Sequence, residues 1–133
     1  LETGGTVLEA MQSDSGEFLP SIIFSEDGSY ATLPEETLRN AGFHDVSEQV
    51  IQRFLPLIVE KQSTEPFMSP VAMTAAKFGT VKKTYIRTTI DRVTTPDLQD
   101  RMIENWKVEQ VHNLVSGHFP AFSVPQKLAE LML

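Results

Sequence analysis

Lys82-Lys-Thr-Tyr-Ile-Arg-Thr-Thr-Ile90 runs straight into Asp91, and Val108-Glu-Gln-Val-His-Asn-Leu-Val115 runs through a Ser116-Gly117 turn into His118. The first run is rich in Thr, Ile and Tyr, and both read as strands. Between them Thr95-Pro-Asp97 opens a helix that carries Leu98, Met102 and Ile103. After them Ser123-Val-Pro-Gln126 reads as a capping box that opens a last helix with Leu128, Leu131 and Met132. Strand, helix, strand, helix with short joins predicts a parallel α/β sheet.

Open parallel sheets bind their ligands beyond the carboxyl ends of the strands. Asp91 and His118, 27 positions apart, each follow one of the two strands, so the fold would bring them side by side. A carboxylate against an imidazole fixes its tautomer and steadies the imidazolium that forms in proton transfer, two parts of a hydrolytic triad. Each residue also has a plainer reading. An Asp after a strand commonly caps a turn or helix, and a His beside Gly commonly lies on a surface loop.

Upstream the rhythm changes. Residues 1–70 carry 12 acidic and 3 basic side chains, a balance of −9; residues 71–133 carry 6 and 8, a balance of +2. The change falls at the loop-like stretch Gln62-Ser-Thr-Glu-Pro-Phe-Met-Ser-Pro70, which predicts two sub-regions, 1–70 and 71–133. In the first, Thr6 to Met11 reads as a short helix. Ser21-Ile-Ile-Phe24 and Tyr30-Ala-Thr-Leu33, flanking Glu26-Asp-Gly28, predict a hairpin. Thr32 is expected to cap a helix over Pro34 to Ala41, and Asp45 one that carries Val50, Ile51, Phe54, Leu55 and Ile58 until Pro56 bends or ends it.

Composition narrows the function. The 133 residues contain no Cys, which excludes disulfides, thiolate zinc sites and cysteine nucleophiles, and a net charge of −7 argues against nucleic-acid binding. The longest apolar run, Phe54-Leu-Pro-Leu-Ile-Val59, is far shorter than the ~20 residues of a membrane span. The opening Leu1-Glu-Thr-Gly-Gly5 has no signal-peptide pattern, so a soluble, cytoplasmic protein or a piece of one is expected. No metal or organic cofactor is implied.

Ser116-Gly-His-Phe-Pro-Ala-Phe-Ser-Val-Pro-Gln-Lys-Leu-Ala129 closely resembles the end of α/β-hydrolase-fold serine hydrolases, where the catalytic His follows the last strand. Within that superfamily it resembles the plant-type methylesterase and hydroxynitrile lyase group and its pyrethroid-hydrolase-like relatives. Tyr85-Ile-Arg-Thr-Thr-Ile-Asp91 matches the strand before the acid, and Pro96, Gln99 and Met102 match the helix that follows it. Gln62-Ser-Thr-Glu-Pro-Phe67 is similar to the exit from the lid of such esterases. The resemblance implies the carboxyl-terminal portion of an α/β-hydrolase: a helical cap with a small hairpin over 1–70, then the last two strand–helix units over 71–133, completed by strands not in this chain. It implies a carboxylic ester hydrolase acting on small apolar esters, with His118 as general base, Asp91 as its orienting acid, and Phe119 and Phe67 against the substrate.

The family's Gly-x-Ser-x-Gly elbow is absent, as is its oxyanion-hole loop; the nearest serines are Ser116 and those of Ser13-Asp-Ser-Gly16. The nucleophile is therefore expected on an amino-terminal hydrolase half outside this chain, with a homodimer as one arrangement of the complete protein. Two other functions stay open: a non-catalytic ligand-binding or accessory chain, and a lyase, for which Lys107 is a poorly placed candidate lysine. Asp97 and Asp100 are weaker acid candidates because first-turn carboxylates complement the helix dipole. His44-Asp45 and the in-strand His112 rank behind His118, and Trp106 and Phe122 read as packing residues.

Overall fold

The computed structural model describes residues 4–133; Leu1, Glu2 and Thr3, where the chain's opening was read, lie outside the described residues. Strands β4 (Thr84–Thr88) and β5 (Gln110–Leu114) pair in parallel, with Thr84 opposite Gln110 and Thr88 opposite Leu114. The crossover is helix α5 (Pro96–Asn105), whose Thr95 side chain accepts the Leu98 amide. Beyond the strands the ladder continues: Thr89 N donates to Leu114 O and Ile90 N to Ser116 O. That extension carries Asp91 alongside residues 116–118. Helices α6 (Pro120–Ser123) and α7 (Pro125–Met132) close the chain.

The first half is a layer of short pieces. Helix α1 (Val7–Gln12) starts with a full capping box between Thr6 and Glu9. Strands β1 (Ile23–Phe24) and β2 (Tyr30–Thr32) form the expected hairpin, and β3 (Gln62–Ser63) adds a third antiparallel strand. Helix α2 (Glu35–Thr37) widens into a π-helical turn over Leu38–Gly42. Helix α3 (Glu48–Phe54) passes into a 3-10 turn at Leu55–Leu57, where Pro56 ends it. Helix α4 spans Glu65–Met68, so the stretch read as a loop over 62–70 contains both a strand and a helical turn.

Three predicted caps are corrected. Thr32 belongs to β2, and α2 starts after Pro34 with no side-chain cap. Ser47, not Asp45, stands at the start of α3, and Val124, not Ser123, at the start of α7. Asp45 and Ser123 make longer-range hydrogen bonds, described below, because a buried amide or hydroxyl left unpartnered costs more than an exposed helix end that water can reach.

Phe43, Val46 and Ile51 form the core, with Phe119 and Phe122 from the other half packed against it. Phe43 and Phe119 rings sit 4.8 Å apart, as do Phe54 and Phe122. The unequal charges of the two halves meet at this seam. Arg92 pairs with Glu17 at 2.6 Å and donates to Asn40 O; Arg101 donates to Ser13 O; Asp14 accepts from the Thr95 amide and hydroxyl. No described helix is long and apolar enough to cross a membrane.

Candidate active site

Asp91 begins the turn after β4. Its Oδ1 accepts the amides of Val93 (2.8 Å) and Thr94 (3.0 Å), which makes it the cap of its own loop. Its Oδ2 receives His118 Nδ1 at 3.1 Å and the Thr88 hydroxyl at 3.0 Å. One carboxylate oxygen thus caps the loop and the other meets the imidazole. An ionised carboxylate only accepts, so Nδ1 carries the imidazole proton and the Nε2 lone pair is left available as a base. Asp91 is 6% exposed. Burial pushes its carboxyl upward, but the contact with His118 and the two loop amides outweigh that and hold it below its ordinary value.

Two aromatic edges frame the imidazole. Phe119 lies 4.9 Å and Phe18 5.9 Å from it, both T-shaped. Phe18 also lines an apolar cavity of about 620 Å³, whose wall includes Phe67, Met68, Ile22 and Leu55. His118, Asp91 and Phe119 are not in that wall, so Phe18 is the ring common to cavity and imidazole. Phe119 packs between the imidazole and the aromatic core, and Phe67 faces the cavity from α4.

The remaining candidates are placed elsewhere. Asp100 forms a two-bond pair with Arg87 (2.6 and 2.7 Å), and Asp97 lies in the first turn of α5. His112 sits within β5 with Nε2 beside the Gln110 amide. Lys107 precedes β5, beyond the end of the strand opposite to the one that leads to His118. Ser116 is wholly buried, with its hydroxyl 2.8 Å from that of Ser123, and so is closed to substrate. Among the described residues no three His, Asp or Glu side chains group as metal ligands.

No family model matches the chain. It is 45% identical over 53 residues to methylesterase 17 from Arabidopsis thaliana, covering 40% of this chain and 19% of that protein. A pyrethroid hydrolase from Sphingobium faniae JZ-2 superposes over 97% of this chain and 54% of its own, with a TM-score of 0.74 and 22% identity. A methylesterase from Arabidopsis superposes over 84% of this chain and 50% of its own, with a TM-score of 0.71 and 22% identity. The chain has the carboxyl-terminal part of the α/β-hydrolase fold. Its matches span about a fifth of the curated relatives' length and about half of the solved ones.

Two residues near the site play parts that the sequence reading did not give them. Gln99 is 1% exposed. Its Oε1 accepts the Thr88 amide (2.9 Å), while its Nε2 donates to Thr88 O (3.0 Å) and Thr94 O (2.8 Å). It thus bolts both ends of the Asp91 turn to α5. The available signal was a polar residue beside Leu98 on the inward face of that helix. Asp45 is the second: its Oδ2 accepts the Gly117 amide at 2.6 Å, 72 positions away. No local sequence pattern shows that contact.

Proposed function

We propose that this chain supplies the base and the orienting acid of a serine-type carboxylic ester hydrolase, with the nucleophile on a preceding hydrolase segment and residues 1–70 acting as the cap. The supporting observation is the Asp91–His118 contact at the carboxyl ends of two parallel strands, a carboxylate contact that favours the proton on Nδ1, with Nε2 free of hydrogen bonds among the described residues. His118 Nε2 takes the serine proton as its oxygen attacks the ester carbonyl, and Asp91 steadies the imidazolium. The imidazolium returns that proton to the departing alkoxide. The neutral imidazole then deprotonates the water that attacks the acyl-enzyme and hands that proton to the departing serine oxygen.

The apolar cavity, within the range of about 300–1,000 Å³ usual for small-molecule sites, favours a small apolar ester held beyond Phe18. The sheet favours a preceding segment. Two strands make a marginal sheet alone, and Val111 and Val115 of the β5 region are 41% and 69% exposed. The test is fluorophosphonate labelling of the complete protein, followed by assay of acid release from a chromogenic ester. Labelling with acid release is expected; a protein that takes no label is the accessory chain instead, and one that labels without releasing acid is not an ester hydrolase.

A further inference from the structure

We propose that Asp45 is a positioning residue for His118: by gripping the Gly117 amide from the cap side, it fixes the peptide that aims the imidazole at Asp91. This rests on reading His118 as the general base. The Asp45 Oδ2 to Gly117 N distance of 2.6 Å is that of a short, charge-assisted hydrogen bond, and Ser116 Oγ lies 3.4 Å from the same oxygen. Gly117 has no room to retreat. A Cβ there would stand 2.5 Å from His44 Cε1 and 2.6 Å from Asp45 Oδ1, so only glycine lets the two segments touch.

The grip is itself anchored. His44 Nδ1 lies 2.9 Å from Ala41 O, and Phe43, 1% exposed, packs at a tilt against Phe119, the residue after His118. Residues 41–45 thus hold 116–119 by an amide-to-carboxylate hydrogen bond on one side of His118 and an aromatic contact on the other. Ser123 braces the same turn through Ser116. Asp45 Oδ1 is buried and has no partner among the described residues. A carboxylate kept there at that cost is more than a surface cap.

Misplacing a catalytic group by about 1 Å can cost ~100-fold in rate. The test measures kcat and KM on a chromogenic ester in the complete hydrolase, with kcat expressed per active site titrated by fluorophosphonate. Asp45→Ala should lower kcat per site on the order of 100-fold with KM within about twofold, whereas Asp45→Asn, which keeps an acceptor for the amide, should stay within about threefold of the parent. Should Asp45→Ala not fold, Asp45→Ser, with its shorter acceptor, should give an intermediate kcat per site. A purely structural role would reduce the titratable fraction and the melting temperature while leaving kcat per site untouched, and that result overturns the proposal. His118→Ala run in parallel separates the failures. If it is inactive while Asp45→Ala is normal, only the positioning role falls; if it is active, the reading of His118 falls with it.

Discussion

Replacing Asp91 by Asn removes one charge and almost no volume, yet it should disable the site. The native carboxylate takes four donors: the Val93 and Thr94 amides on Oδ1, and His118 Nδ1 and the Thr88 hydroxyl on Oδ2. Asparagine has one acceptor, and the two loop amides claim it. Its NH2 then faces His118, and two donors cannot meet across 3.1 Å. The imidazole must turn to the Nε2–H tautomer, whose Nε2 cannot accept the serine proton. In a Ser–His–Asp arrangement such a tautomer error costs about 10⁴-fold in kcat, or about 5.5 kcal/mol of barrier. The assay is kcat of the complete enzyme on a chromogenic ester, alongside nitrogen-15 NMR of the imidazole. Retention of more than a tenth of kcat, or an Nδ1–H tautomer in the variant, would refute the reasoning.

Other outcomes follow from the same contacts. Gln99→Leu strips partners from the Thr88 amide and from two carbonyls, at about 1–3 kcal/mol for each buried group left unpaired, and should lower both the melting temperature and kcat. Gly16→Ala would put a Cβ 2.0 Å from Val93 O in the Asp91 turn; a melting temperature equal to the parent's would show that the segments do not touch. Asp100→Asn breaks only a surface pair and should cost at most about 1 kcal/mol with kcat unchanged; a loss greater than that of Asp91→Asn would transfer the acid role to Asp100. Because Asp91 is held below its ordinary value when folded, its ionised form stabilises the fold above the unfolded value of about 3.9. That contribution is lost as the pH falls through the folded value, so the difference in melting temperature between parent and Asp91→Asn should shrink on acidification.

The sheet and the Asp91–His118 contact were legible because their signals are local. Thr84 to Thr88 and Gln110 to Leu114 lie inside the predicted strands, Pro96 starts the predicted helix, and strand ends place Asp91 and His118 without reference to the rest of the chain. Three of the caps were not legible. A Ser, Thr or Asp three residues before Glu or Gln fits a helix start, but Ser123 and Asp45 turn to Ser116 and Gly117, partners that only the folded chain brings near. Strand β3 escaped for the same reason. Its two residues gain their place through β2 and through Thr64, whose hydroxyl reaches Gly28 O across 36 positions. Gln99 was visible as part of a family-like pattern, yet its hydrogen bonds to both ends of the Asp91 turn required coordinates.

The most direct test is turnover by His118→Ala in the assembled protein, measured per folded molecule on a chromogenic ester. Loss of several orders of magnitude in kcat with an unchanged melting transition is the expected result. Turnover within tenfold of the parent would mean that the imidazole beside Asp91 moves no proton in the reaction.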